Sequence, residues 1–355
     1  MFVKKIILNN FRNYEYQEIN LEENINIIYG NNAQGKTNII ESIFLAAIGK
    51  SFRAKRENEL IKFGKENSKI QVEYKRKDRE GKINIEIGDK KVFYINGVKQ
   101  NKISNIVGNI NIVMFTPDDI DIIKGGPTKR RRFLDMMISS LKPNYLHLLN
   151  MYNKVLEQRN NYLRKYNEKD LSMLDIWDEQ LAEYSSQIFD YRKKYIEKIE
   201  IKQIVIHKQV TESGKLDENI KIKYISNYKN KEDFLMSLKK VRNIDLKKGY
   251  TSIGVHRDDF IIYINDKDVS IFGSQGQQRT SILSLKLAEL DVVEEEIGER
   301  PILLLDDFMS ELDETRRKNF INRIKDNQVI ITCTDKIEIE GKILKNFYVE
   351  EGKCT

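Results

Sequence analysis

Two stretches of this sequence combine residue types that handle phosphate and metal. Residues 30–37, GNNAQGKT, follow G-x-x-x-x-G-K-[ST] and sit between INIIYG, which reads as a buried strand, and a helical run carrying Ile40, Ile43 and Ala47. Glycines let a backbone curl until its N–H groups face phosphate oxygens, and a helix N-terminus adds partial positive charge. In that arrangement Gly30, Asn31, Asn32, Ala33, Gln34, Gly35 and Asn38 form the cradle of an ATP site. Lys36 reaches the terminal phosphates, and Thr37 offers a hydroxyl to Mg²⁺. Such a loop needs an acidic strand end to hold its metal. PILLLDDFMSELD at 301–313 supplies one, with Asp306 for the ion and Asp307 to orient an attacking water. A chance glycine turn or a capped strand would explain either motif alone, but not both together.

A third stretch, GSQGQQRTSILSLKLAEL at 273–290, is a polar knot that opens an apolar helix. A serine hydroxyl, a glycine N–H and a helix N-terminus make a second anion site from Ser274, Gln275, Gly276 and Gln277. The plainer reading is a helix cap, with Ser274 accepting from the first turn. Both can hold at once.

The elements that must position these residues follow an α/β grammar at both ends of the chain. Strands are expected at 2–8, 15–19, 25–30, 69–74, 83–88, 91–95 and 111–115, with a hairpin turn at Asn96-Gly97. Between them, 127–166 and 171–206 read as long helices, the first broken at Pro143, joined by a short polar link as an antiparallel pair. The expected plan is an ATPase lobe from 1–116 and 300–355, with a mainly helical lobe inserted at 117–299 that includes the 273–290 helix.

Bulk composition narrows the setting. A net charge of +7 mildly favours acidic partners such as nucleic acid. The two cysteines, Cys333 and Cys354, form no disulfide framework and suit a reducing compartment. No apolar run approaches a membrane span, so a cytoplasmic protein is expected. His147 and His207 lack metal-ligand spacing, and no metal beyond Mg²⁺ is expected. Trp177, on an apolar helix side, reads as core.

Ser274-Gln275-Gly276-Gln277 resembles the signature of the ABC ATPases, and SELD at 310–313 resembles their D-loop. LNNFRNY at 8–14 looks like the entry of the SMC-like branch, in which an arginine, here Arg12, approaches the nucleotide. FTPDDIDIIKGGPTKRRRFLD at 115–135, GVHRDDF at 254–260, GSQGQQRT at 273–280 and LLLDDFMSELD at 303–313 together resemble the RecF family of bacterial recombination mediators, in order and to about Asp335.

That resemblance implies an ABC-type ATPase head with a mixed sheet around the phosphate loop. It implies weak ATP hydrolysis as a switch for an ATP-dependent homodimer, in which each signature faces the partner's γ-phosphate. It also implies DNA binding at single-strand gaps and stalled forks with RecO and RecR, indirectly serving RecA and the SOS response, at the nucleoid. Arg53, Lys55 and Arg56 are the expected cations along duplex backbone, with the 129–132 run next in line.

Three departures stand out. Val255 occupies the usual proline position of the 254–259 motif. IITCTD at 330–335 offers Thr332 or Thr334, not a switch histidine, and Pro117-Asp118-Asp119 stands where a Q-loop glutamine is sought. Both absences weigh against a transporter motor subunit. An SMC-like structural head would need far longer heptad arms, and a small-molecule kinase would leave the signature and SELD without purpose.

Overall fold

The computed structural model describes residues 1–77, 79–165, 171–211, 218–324, 326–336 and 344–355. It divides into two compact units, Met1–Asp119 with Glu289–Thr355, and Ile120–Ala288. The second unit is thus inserted in the first. The return boundary, expected at 299/300, falls instead inside a helix, because an unbroken apolar helical run carries no punctuation to mark it.

The first unit begins with β1 (Phe2–Phe11), β2 (Tyr14–Asn20), β3 (Ile25–Tyr29), α1 (Lys36–Ile48), β4 (Ser68–Arg76), β5 (Arg79–Ile87), β6 (Val92–Ile95), β7 (Val98–Gln100) and β8 (Ile112–Phe115). An antiparallel sheet runs β2-β1-β4-β5-β6-β7. Its strands alternate as one-sided strands should; in β4, Ile70 and Val72 point to the core while Lys69 faces out. Asn96 and Gly97 adopt φ of 49° and 82°, the double left-handed turn that matches strand twist. By contrast β3 is buried on both faces, the signature of a strand covered on each side.

The second unit contains α2 (Asp121–Lys124), α3 (Pro127–Leu141), α4 (Pro143–Lys165), α5 (Ser172–Val210), β9 (Ile220–Ile225), α6 (Lys231–Lys248), β10 (Asp259–Ile264), β11 (Lys267–Asp268), α7 (Val269–Phe272) and the start of α8 (Gln275–Ile297). Pro127 and Pro143 each open a helix, where a missing N–H costs nothing. The α4–α5 pair is antiparallel: Tyr145 packs on Tyr191 and Tyr162 on Trp177, with ring centroids 5.6 and 5.1 Å apart. Trp177 is only half-buried. The link expected between these helices, with Tyr166, lies outside the described residues.

The lobe is less purely helical than its sequence suggests, because β11-β10-β9 form a small antiparallel sheet. IKIKYI, which builds β9, does alternate, but it is short and follows a long helical pattern.

The 254–259 turn organises this unit. Gly254 has φ of +128°, and a Cβ there would meet the Tyr152 hydroxyl at 2.4 Å, so glycine is required. Val255 is fully buried, and its carbonyl accepts from Arg192 Nη1 at 2.6 Å, so the missing proline is replaced by tertiary anchoring. Arg130 forks onto Asp259 at 2.6 and 2.9 Å, and Arg131 donates to the Asp258 carbonyl at 2.7 Å. Two cations of the 129–132 run are therefore committed to holding this turn.

His256 Nδ1 lies 2.6 Å from the Tyr152 hydroxyl and Nε2 lies 3.0 Å from the Thr251 carbonyl. A neutral imidazole satisfies both, donating to the carbonyl and accepting from the hydroxyl. Its pKa is lowered to about 4, chiefly by burial and also by Arg257, Arg131 and Arg192, against the opposing pull of the Thr251 carbonyl. The unfolded histidine takes its proton near pH 6.5, so this contribution to stability is complete above that pH and lost as pH falls toward 4. His256→Gln is expected to remove about 2 kcal/mol of the stability lost between pH 7 and 5, read by urea denaturation at each pH.

The chain then re-enters the first unit through the remainder of α8, followed by β12 (Ile302–Asp306), α9 (Glu314–Ile324), β13 (Val329–Cys333), β14 (Leu344–Glu350) and β15 (Lys353–Cys354). The second sheet of this unit runs β15-β14-β3-β13-β12-β8, parallel except for the β14–β15 hairpin. Helix α1 touches β13 and β12 of this sheet and β4 and β1 of the other. Ile39, Ile40, Ile43, Leu45 and Ala47 are accordingly buried around its circumference. A helix so enclosed holds the phosphate loop rigidly at its N-terminus.

Candidate functional site

The loop between β3 and α1 is clasped from two sides. Gly30 and Gly35 adopt φ of +146° and +116°; a Cβ on Gly30 would come within 2.3 Å of the Val349 carbonyl, and one on Gly35 within 2.5 Å of the Asn13 side chain. Both glycines are thus demanded by close neighbours as well as by curvature. Asn13 Nδ2 donates to the Gln34 carbonyl at 2.7 Å, Tyr14 Oη donates to the Gly35 carbonyl at 3.1 Å, and the Glu351 N–H donates to Gln34 Oε1 at 2.7 Å. Asn38 Nδ2 reaches back to Asn13 Oδ1 at 2.5 Å. Buried Lys36 donates Nζ to the Gly30 and Asn31 carbonyls at 2.6 and 2.9 Å, so its ammonium sits inside the loop's curl.

The two acidic residues at the end of β12 meet this loop. Thr37 Oγ1 donates to Asp306 Oδ1 at 2.9 Å, bringing together residues 269 positions apart. Thr332 Oγ1 donates to the same oxygen at 2.7 Å and accepts the Asp307 N–H at 3.0 Å. Thr332 therefore anchors the acidic pair, while Thr334 bonds to Asp335. A threonine hydroxyl converging with an aspartate oxygen is a hard-oxygen set suited to Mg²⁺. Among the described residues no group of three or more His, Cys, Asp or Glu gathers as a metal site.

Asp307 holds a left-handed φ of 50°, unusual for a non-glycine residue. Burial raises its pKa, the Asp306 charge raises it further, and Lys36 opposes both. Such a carboxyl has more proton affinity than a solvated one, as a water-orienting base requires.

Arg12 also has a positive φ, 55°. Its guanidinium grips Glu41 of α1 with two nitrogens and donates Nη1 to the Glu59 carbonyl at 2.7 Å. Arg12, Asn13, Asn38, Lys62 and Phe63 border a cleft of about 1120 Å³ beside the phosphate loop. Phe63 is fully exposed there. Asn13 lies in the LNNFRNY stretch without a role read from it, and Glu41 and this cleft carry no motif letters.

In the second unit, Ser274 Oγ accepts the Gln277 N–H at 3.2 Å, and Gln277 Oε1 accepts the Ser274 N–H at 2.9 Å. This is a reciprocal capping box, so the helix-cap reading of Ser274 holds. Ser274, Gln275 and Gly276 are nevertheless exposed. A Cβ on Gly276 would meet only Ser274 Oγ, at 3.9 Å, so this unit's own packing does not require glycine there.

Of the three expected DNA cations, Arg53 donates to Glu41 at 2.8 Å and to Asn38, so much of its charge is spent within the fold. Lys55 and Arg56 are exposed and make no ion pair among the described residues.

A model of the RecF/RecN/SMC N-terminal domain matches residues 2–353. The DNA replication and repair protein RecF of Clostridium tetani is 45% identical, covering 100% of this chain and 99% of its own. This chain belongs to the RecF family. RecF of Clostridium botulinum strain ATCC 19397 is likewise 45% identical, with 99% of each covered. A solved structure of the recombination mediator protein RecF–ATP in the RecFOR pathway is 38% identical, with a TM-score of 0.93 over 100% of this chain and 97% of that one. An Smc head bound to the C-winged helix domain of ScpA has a TM-score of 0.60 at 16% identity, covering 100% of this chain and 96% of that one; it shares the fold. RecF membership makes the ABC-type, SMC-like ATPase head the fold class and places the chain apart from transporter motors. No helix among the described residues is long and apolar enough to cross a membrane.

Proposed function

We propose that this chain is an ATP-controlled DNA clamp of recombinational repair. It binds ATP with Mg²⁺, closes as a homodimer on duplex beside single-strand gaps and stalled forks, and works there with RecR and RecO to help place RecA. It thereby supports repair, replication restart and the SOS response, in the cytoplasm at the nucleoid. The observation that carries the reading is the meeting of Thr37 with Asp306 beside Lys36 and Asp307, in a chain whose relative is described with ATP. Lys36 and the loop N–H groups bind the phosphates, Thr37 and Asp306 hold the metal, and Asp307 orients water. Mg²⁺ supplies charge neutralisation across the phosphates. The Ser274–Gln277 cap, exposed at Ser274, Gln275 and Gly276, supplies the second half-site, across a two-fold axis, to a neighbour's nucleotide. Only the closed dimer engages ATP from both sides, so ATP favours closure, and slow hydrolysis by a weak ATPase times release.

The test is duplex and gapped-DNA binding with and without ATP, followed by sedimentation and by salt titration. ATP is expected to convert monomer to a DNA-bound dimer; a monomer that binds DNA equally well without ATP overturns the clamp. Each phosphate contact contributes a slope of about −0.9 in log K against log salt. Replacing Lys55 and Arg56 by alanine is expected to flatten the slope by about 1.8, whereas replacing Arg53 alone leaves it nearly unchanged. An unaltered slope in the double variant moves the DNA surface elsewhere.

A further inference from the structure

Glu41 is wholly buried on α1, next to the phosphate loop, and four donors converge on its carboxylate. Oε1 accepts from Arg12 Nη2 at 2.7 Å and Ser51 Oγ at 2.6 Å; Oε2 accepts from Arg12 Nε at 2.9 Å and Arg53 Nη2 at 2.8 Å. A carboxylate offers about four lone-pair sites, so this one is filled from within the chain. Burial raises the Glu41 pKa, but the bonds from Arg12, Arg53 and Ser51 outweigh it and leave the group below the ordinary carboxylate range. Glu41 is therefore ionised in the fold.

The arrangement constrains Arg12 more tightly than charge alone would. Two parallel N–H bonds fix the plane and the reach of a guanidinium, and the Glu59 carbonyl fixes a third nitrogen. The side chain keeps 19% exposure and lines the cleft beside the phosphate loop, with N–H groups still to spare. Asn38, which also accepts from the Arg53 guanidinium, is tied through Asn13 to the Gln34 carbonyl of the loop.

We propose that Glu41 is a positioning residue for ATP, holding the Arg12 guanidinium at the edge of the cleft that adjoins the phosphate loop through Asn13, so that its remaining N–H groups meet the bound nucleotide. The inference rests on the proposed ATP site and deepens it. Arg53 is the second cation of the same device: it keeps the buried carboxylate neutralised while Arg12 shares its charge with phosphate. A bare buried carboxylate would be strongly destabilising, so the second arginine lets the first serve the nucleotide.

A purely structural ion pair would alter stability but not, selectively, the nucleotide. A double-mutant cycle separates the two roles, using Mg·ATP affinity by titration calorimetry and thermal melting of the full chain. Arg12→Ala is expected to weaken ATP binding tenfold or more, and Glu41→Gln threefold or more. The double variant is expected to bind ATP within twofold of Arg12→Ala, because Glu41 acts through Arg12. Melting temperature should fall with Glu41→Gln in both backgrounds. The proposal is overturned by unchanged ATP affinity in Glu41→Gln, or by an equal further loss when Arg12 is already absent. Unchanged affinity in Arg12→Ala overturns it as well, while the ATP site itself stands so long as Lys36→Ala abolishes binding. ATP binding retained by Lys36→Ala would instead remove the site on which the inference rests. Should Glu41→Gln fail to fold, Glu41→Asp keeps the charge, draws the carboxylate back by one methylene and passes through the same cycle.

Discussion

Asp307→Asn is expected to bind ATP as tightly as the unaltered chain and to hydrolyse it at least about a hundredfold more slowly, a barrier increase of about 2.7 kcal/mol. The asparagine amide occupies the same space and keeps the backbone N–H that Thr332 accepts. It loses the proton affinity that burial and Asp306 give the carboxyl. Because the phosphate loop, Thr37 and Asp306 are untouched, binding survives and the ATP-held dimer lives longer. Single-turnover hydrolysis and sedimentation in ATP measure the two halves of the expectation. Wild-type turnover by this variant would mean that another group orients the water.

Ser274→Arg is expected to bind ATP normally yet remain monomeric, since it places a bulky cation where a hydroxyl is meant to meet a neighbour's phosphate. Lys36→Ala also stays monomeric, for want of nucleotide. Mixing the two should restore part of the ATP-dependent dimer. The heterodimer has one site spoiled twice and one site whole, built from the phosphate loop of the first variant and the Ser274 turn of the second. Analytical ultracentrifugation of each variant and of the mixture decides the matter. If Ser274→Arg alone dimerises like the parent chain, the reciprocal Ser274–Gln277 bonds are a helix cap and nothing more.

How much of this was legible beforehand depended on the range over which each feature is encoded. The phosphate loop and the acidic strand end are local: glycine curvature, a lysine and a run of apolar residues announce themselves within a dozen positions. The first sheet was readable for the same reason, since alternation in β4 and the Asn96-Gly97 turn are short-range patterns. What stayed hidden is set by tertiary partners. Nothing near Arg53 indicates that Glu41 takes its charge, and nothing in KRRR indicates that Arg130 and Arg131 brace a turn far along the chain. The unit boundary within α8 was invisible because helical periodicity continues across it. Glu41 itself reads as an ordinary polar residue in a helix, and only its burial and its four donors set it apart.

The clasp of the phosphate loop by Val349 and Glu351 has a consequence for how the protein is made. β3 leaves the ribosome well before its neighbours β13 and β14, which follow the whole inserted unit in the sequence. Until they arrive, the loop that curls around Lys36 has neither its flanking strands nor the Glu351 N–H on Gln34. A nascent chain thus carries every letter of the loop long before it carries the walls that shape it. The loop therefore takes its final shape only after the inserted unit has been made, so its curl around Lys36 depends on strands that lie on the far side of that unit.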